Sequence, residues 1–357
     1  MIRRLATAAL ILVALGAALG ACGRKGPPVA PEQRIPRPVS DLDAVVHESG
    51  IEVRWTNPTR RADNTRVRDL EVVRVFRLED GGGGEPRPAL LERGRVRGYT
   101  EIGTIRLAAP APSIREGDRV IFDDRRGLTL GRRYTYTIVA ADSQGRSSSP
   151  SPRLSVTFVA VPEPPRDLVA EAGEREVRLR WIPPVRLTDG HPPTQPLGYE
   201  VLRAPGADAP LTPVRETAEP QLTDRDLENE RTYAYAVRAV RMLGGTRVVS
   251  APTPRVLVTP VDMTPPAPPT DLVAIPSPGT VQLSWRPSPD TDVERYIVYR
   301  ATAGRAFERI GSTPAPATTF VDRDVAPGRY RYVVTAEDRS SRRNESGRSN
   351  DVTVSAP

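Results

Sequence analysis

One short pattern recurs three times along the chain, and it constrains the fold more than any other feature. Asp41-Leu42-Asp43-Ala44 precedes Trp55, Asp167-Leu168-Val169-Ala170 precedes Trp181, and Asp271-Leu272-Val273-Ala274 precedes Trp285, with the leucine 13 residues before the tryptophan each time. Further on come Tyr134-Thr135-Tyr136-Thr137-Ile138-Val139-Ala140, Tyr233-Ala234-Tyr235-Ala236-Val237-Arg238-Ala239 and Tyr330-Arg331-Tyr332-Val333-Val334-Thr335-Ala336. A period of two with β-branched and aromatic residues makes these strands. Between tryptophan and tyrosine lies a third element: Tyr199-Glu200-Val201-Leu202-Arg203, Tyr296-Ile297-Val298-Tyr299-Arg300 and, less cleanly, Val73-Arg74-Val75-Phe76-Arg77. Composition agrees with many short strands. Proline supplies 39 of 357 residues, about twice average usage, and proline breaks helix interiors. A hydrophobic share of 38% suits several small cores better than one large one.

The order and spacing of these elements resemble the fibronectin type III module. The resemblance implies an all-β chain of three tandem fibronectin type III-like (immunoglobulin-like) β-sandwiches, with the leucine on strand A, the tryptophan on B, the Tyr-x-Val-x-Arg stretch on C and the tyrosine run on F. Trp55, Trp181, Trp285, Tyr134, Tyr233 and Tyr330 are then expected in the cores. It also implies a tyrosine corner with a leucine six residues earlier. Leu128 and Leu227 obey that spacing, whereas Val325 stands only five before Tyr330. A true immunoglobulin domain is disfavoured because the chain has one cysteine and cannot form the inter-sheet disulfide. Proline-rich joints at Val161-Pro162-Glu163-Pro164-Pro165 and from Pro260 to Pro269 place the units at residues 36–161, 162–261 and 262–357.

The first unit is longer than its sisters. From Arg77 to Ile102 it holds about 15 residues more than the third unit has between Arg300 and Ile310, where Ile102-Gly103-Thr104 matches Ile310-Gly311-Ser312. This insertion in the C to C′ loop carries Gly81 to Gly84 and the arginines Arg87, Arg93, Arg95 and Arg97. With few large apolar residues beyond Leu90, Leu91 and Val96, it reads as a mobile basic loop. Its arginines make it the candidate binding loop for an anionic partner.

The first 21 residues read as a signal segment, with Arg3 and Arg4 before an apolar stretch from Leu5 to Leu19. Fifteen helical residues span about 22 Å, short of a ~30 Å hydrocarbon core. The stretch ends in Leu19-Gly20-Ala21-Cys22, which resembles a bacterial lipobox, and Cys22 is the only cysteine. The resemblance implies acylation of Cys22, membrane attachment through its acyl chains and, because Gly23 rather than Asp follows, the outer membrane. Residues 22–35 then form a Pro- and Gly-rich stalk. Cys22-Gly23-Arg24-Lys25-Gly26-Pro27 also resembles the mature start of a small lipoprotein family associated with the lipopolysaccharide-export translocon, which would make the segment a docking element.

Charge and chemistry narrow the function. The net charge is +7, but Lys25 is the only lysine and the remaining 50 basic residues are arginine, a skew that reads as genome-wide codon bias rather than as a binding surface. Many alternate with apolar residues, as in Val177-Arg178-Leu179-Arg180-Trp181, so they belong on solvated strand faces and form no single patch for nucleic acid. His47 and His191 fall in different units, and no nucleophile elbow, phosphate loop or His-Glu-x-x-His occurs. The chain reads as a non-catalytic cell-envelope module for binding, adhesion or spacing, with no cofactor and no metal, whose partner is another envelope protein or a glycan. A role beside a carbohydrate-active enzyme is a weaker alternative. The acid pairs Asp123-Asp124, Asp224-x-Asp226 and Asp322-x-Asp324, like Asp290-Thr291-Asp292, could ligate calcium, but aspartates also build turns, the reading preferred here.

Overall fold

A computed structural model describes residues 33–357. The signal segment, Cys22 and all but the last residues of the stalk lie outside the described residues. Every regular element of more than a single turn is a strand.

The first sandwich contains β1 (Asp43–His47), β2 (Gly50–Thr56), β3 (Leu70–Asp80), β4 (Leu91–Glu92), β5 (Arg95–Val96), β6 (Thr100–Arg106), β7 (Ile114–Glu116), β8 (Arg119–Asp124), β9 (Arg133–Asp142) and β10 (Leu154–Thr157). One sheet runs β1-β2-β8-β7 and the other β10-β9-β3-β6, with β4 and β5 as a separate hairpin. The second contains β11 (Arg166–Ala172), β12 (Val177–Ile182), β13 (Gly198–Ala204), β14 (Thr212–Thr217), β15 (Gln221–Asp224), β16 (Tyr233–Leu243), β17 (Thr246–Val249) and β18 (Val256–Val258). Its sheets are β11-β12-β15 and β14-β13-β16, with β17 and β18 both pairing β16. The third contains β19 (Thr270–Ser277), β20 (Thr280–Arg286), β21 (Val293–Thr302), β22 (Glu308–Pro314), β23 (Thr319–Arg323), β24 (Gly328–Asp338) and β25 (Val352–Ala356), in sheets β19-β20-β23 and β22-β21-β24-β25.

Strand order A-B-E against C′-C-F-G, antiparallel throughout, is the fibronectin type III arrangement. It follows from the sequence period. Along β12, Val177, Leu179 and Trp181 are buried while Arg178, Arg180 and Ile182 face water, the alternation a two-layer sandwich demands. Strand β20 repeats it with Val281, Leu283 and Trp285 inward. Each core is separate: Val177, Leu179, Trp181, Val201 and Tyr235 close one, and Val281, Leu283, Trp285, Val298 and Tyr332 another. The first sandwich up to Val159, apart from Val46–Ser49, forms one compact unit; those four residues and everything from Ala160 onward form a second.

Trp55, Trp181 and Trp285 are all buried, but their indole nitrogens differ. Trp55 donates to Asn57 Oδ1 at 3.1 Å, whereas the Nε1 atoms of Trp181 and Trp285 are buried with no hydrogen-bond partner; these two indoles meet Tyr199 and Tyr296 edge-on at 5.3 and 5.5 Å. Trp55→Phe orphans Asn57 while Trp181→Phe removes an unsatisfied donor. Urea unfolding is therefore expected to show Trp55→Phe costing about 1–2 kcal/mol more than Trp181→Phe, and equal costs would contradict the difference.

The three corners form. Tyr134 and Tyr233 hydroxyls accept from the backbone N–H of Thr129 (2.8 Å) and Glu228 (3.2 Å). In the third unit, where the leucine spacing fails, Tyr330 still donates to the Ala326 carbonyl at 3.0 Å, and Val325 is buried in the leucine's place. Tyr330 itself is only half-buried. The second tyrosine of each run, Tyr136, Tyr235 and Tyr332, is fully buried, as Tyr134 is in the first sandwich.

Candidate functional site

The C to C′ insertion is not a mobile loop. Strand β3 carries the chain to Asp80, and the segment then folds back as the β4–β5 hairpin, pairing Leu91 with Val96 and Glu92 with Arg95. Its turn, Arg93-Gly94, has positive φ at both residues (47° and 79°), the geometry a two-residue hairpin needs and the reason glycine occupies the second place. Val96 is 1% exposed and packs with Phe76 and Val139 of β3 and β9, flanked by Ala89, Leu91 and Tyr99. Few apolar residues suffice because they are concentrated on one face over an apolar spot. The signal in the sequence is Val139: its counterparts in the other tyrosine runs are Arg238 and Thr335. An aliphatic residue on the outward side of strand F calls for a cover, and β9 is accordingly buried on both faces.

Polar bonds fix the hairpin further. Arg74 Nη1 donates to the Gly94 carbonyl at 2.6 Å, and Tyr99 donates its hydroxyl to the Arg87 carbonyl at 2.7 Å. The four acids from Glu79 to Glu92 are each matched. Asp80 pairs with Arg133 at 2.7 Å, Glu79 with Arg132 at 3.8 Å, Glu85 with Arg153 at 3.5 Å and Glu92 with Arg97 at 2.7 Å. Of the four candidate arginines, Arg97 is thus neutralised within the hairpin. Arg87, Arg93 and Arg95 are exposed and have no ion-pair partner among the described residues. An open concavity beside Glu92, Arg93 and Arg95 lies at the tip. The arrangement is a preformed platform with three uncompensated guanidinium groups, a geometry that suits bidentate contact with carboxylate or phosphate.

The acid pairs divide their work. In each sandwich one member turns inward to a buried tyrosine and an arginine of strand C. Asp124 Oδ2 accepts from Arg77 (2.7 Å) and Tyr136 (2.8 Å), Asp224 Oδ2 from Arg203 (2.9 Å) and Tyr235 (2.7 Å), and Asp322 Oδ2 from Arg300 (2.9 Å) and Tyr332 (2.8 Å). Each guanidinium also lies over the corner tyrosine ring, at 5.0, 5.7 and 5.4 Å. Burial, and then the adjacent aspartate, push the Tyr136, Tyr235 and Tyr332 hydroxyls far above the ordinary tyrosine range, so they stay protonated donors. The remaining members Asp226 and Asp324 sit at positive φ in turns. These acids hold the fold together.

A different acid group meets in the second compact unit. Asp262 of the joint, Asp292 of the B to C loop and Asp338 at the end of β24 bring carboxylate oxygens within 4.8 Å of one another. Asp338 is fully buried, and its oxygens accept from Ser340 N (3.0 Å), Ser340 Oγ (2.6 Å), Asn344 N (3.0 Å) and Asn344 Nδ2 (2.9 Å). Burial works against ionisation there, but these bonds outweigh it and hold the carboxyl below the usual range. Asn344 Nδ2 also reaches the Asp262 carbonyl at 3.0 Å, tying the joint to the third sandwich. Only Asp292 of this trio stood out in the sequence. His191 lies exposed beside Asp189 at 3.4 Å, and His47 ends strand β1.

These observations define an all-β protein of tandem fibronectin type III-like sandwiches whose first member presents an arginine-bearing hairpin. No family model matches the chain. It is similar to exoglucanase B of Cellulomonas fimi, 29% identical over 92% of the chain, and to endoglucanase B of the same organism, 31% identical over 60%. The chain spans about a quarter of the first relative's length and a fifth of the second's. Among solved structures, the chicken CNTN1 FN1-FN3 domains align over 90% of the chain with 17% identity and a TM-score of 0.29. The fold assignment rests on the strand order above.

Proposed function

We propose that the chain is a non-catalytic cell-envelope module that binds an anionic partner through the hairpin of its first sandwich, while the other two sandwiches act as spacers. The supporting observation is the set Arg87, Arg93 and Arg95, left uncompensated on an ordered platform in which the four acids from Glu79 to Glu92 are matched. Acyl chains on Cys22 would tether the module to the outer membrane, with the Pro-rich stalk lifting it off the bilayer. The partner would be an envelope protein with an acidic face or a phosphate-bearing envelope glycolipid.

Two variants test the two halves of this reading. Cys22→Ser is expected to abolish incorporation of labelled palmitate, and equal label in the mutant would remove the anchor from the account. Arg93→Glu with Arg95→Glu is expected to lower crosslinked capture of partners from native envelopes by about tenfold or more, with melting unchanged. Deleting the insertion is the poorer experiment, because it would uncover Phe76 and Val139. Exchanging Arg24 to Pro27 for Ser and Gly while keeping Cys22 separates this reading from docking on export machinery through the N-terminus.

The likeness to two glucanases supports a second reading, in which the sandwiches accompany a carbohydrate-active partner. Sedimentation of the chain with insoluble β-glucan, unaffected by the hairpin variant, would favour it.

A further inference from the structure

We propose that the first sandwich holds a second recognition site, a groove beside the edge strand β6 that accepts an extended peptide strand of another protein. The groove has a volume of about 690 Å³ and is lined by residues 101–105 of β6, residues 110–113, and residues 122–126 at the end of β8. That is the size range of specific ligand sites. Apolar groups make up about half of its lining, Ile102, Ile105 and Phe122 among them. Ile105 is 4% exposed, and the half-buried Phe122 ring presses on Gly103, where a Cβ would stand 2.5 Å from the ring.

The third sandwich provides an internal comparison, because Gly311 and Phe320 repeat this contact. There β22 passes to β23 through residues 315–318 alone. In the first sandwich residues 107–118 replace that short link, and they include β7, which pairs with β8 through Ile114↔Ile121 and Glu116↔Arg119. The added segment builds a wall beside the same contact. It is bonded in place: Arg115 Nη1 donates to the Leu107 carbonyl at 2.9 Å, Ser113 N to Pro110 O at 2.9 Å, and Leu107 is buried. A wall fixed beside a shared glycine–phenylalanine contact is what distinguishes this edge from its counterpart.

The occupant follows from what lines the groove. Among the strands β6 pairs only with β3 and is the last of its sheet; Arg106 turns back to Ala109, whose amide donates to its carbonyl at 2.9 Å, and along Glu101–Ile105 the alternate N–H and C=O groups that point away from β3 form an open edge. An extended backbone satisfies such an edge, and its alternate side chains reach the apolar part of the lining. The charges are balanced. Asp123 pairs with Arg125 at 2.6 Å, Asp124 with Arg77 at 2.7 Å, and Arg126 and Glu101 carry opposite signs. The groove thus lacks the uncompensated charge of the hairpin and suits a segment without net charge. The one aromatic ring is packed against Gly103, so it offers a sugar ring no open stacking platform of the kind glycan sites use.

The test is a phage-displayed random octapeptide library panned on the full chain. Ser113→Trp, and separately Ala111→Trp, serve as counter-selecting proteins whose melting must match the wild type. Enrichment of peptides that bind wild type at least tenfold better than either variant is expected, with apolar residues at alternate positions. The same peptides N-methylated at alternate residues should bind at least tenfold more weakly, and amides of Ile102 to Ile105 should gain exchange protection only with the unmethylated form. No enrichment over the counter-selection, binding indifferent to N-methylation, or protection of these amides by cellohexaose in place of peptide would each overturn the proposal. Arg93→Glu with Arg95→Glu should leave this binding intact, so failure here is distinct from failure of the hairpin reading.

Discussion

Asp224→Ala is expected to destabilise the second sandwich by about 2–4 kcal/mol, because it strips Tyr235 of its only acceptor and leaves Arg203 without its carboxylate. Tyr235 is fully buried, so water cannot replace the lost bond, whereas Arg203 is partly solvated, which keeps the cost below that of a wholly enclosed pair. Asp224→Asn retains an oxygen for the tyrosine and should cost roughly half as much or less. The equivalent changes at Asp124 and Asp322 should act alike, since the Arg-Asp-Tyr arrangement recurs with distances between 2.7 and 2.9 Å. Urea unfolding followed by tyrosine fluorescence measures all three; an alanine variant as stable as wild type would show that the network contributes nothing net.

The larger effect should come from Trp181→Ala, at about 3–5 kcal/mol, the usual result of emptying a large core site. Trp181 is 5% exposed, lies within a core of its own and meets Tyr199 edge-on. How far the damage spreads is informative. The second and third sandwiches share bonds at their joint: Ser341 Oγ donates to Glu230 Oε1 at 3.0 Å, and the Glu174 carboxylate accepts from the Met263 amide. These contacts are exposed and polar, so they couple the pair weakly. Calorimetry should show the second sandwich's transition shifted or lost, the third lowered by a few degrees at most, and the first unchanged. Simultaneous loss of all three would refute separate cores.

Where sequence and structure part, the reasons are physical. The tryptophan and tyrosine runs were legible because burial on one face imposes period two and repetition at fixed spacing marks a core position. The partners of the inward aspartates were not: Asp to Tyr separations are 12, 11 and 10 residues, and the arginine lies on another strand, so no fixed spacing betrays the network. The Ile102-Gly103-Thr104 match locates the insertion but not its order, because Val96 and Tyr99 carry no period of their own and fold only against Phe76 and Val139. The wall at residues 107–118 leaves no mark in the sequence, since that match ends just before it. The acid trio joins residues from a linker, a loop and a strand end, a meeting that only the folded chain makes.

The most direct measurement of the central claim is a salt titration of binding to lipopolysaccharide micelles, with a Cys22→Ser chain so that no acyl group contributes, and with the Arg93→Glu, Arg95→Glu version beside it. Charge contacts at an exposed hairpin are screened over about 10 Å at 0.1 M salt. The hairpin account predicts strong binding at low salt that falls steeply towards physiological ionic strength, and at least tenfold weaker, nearly salt-independent binding in the variant. Equal affinities and equal salt dependence for the two chains would contradict it.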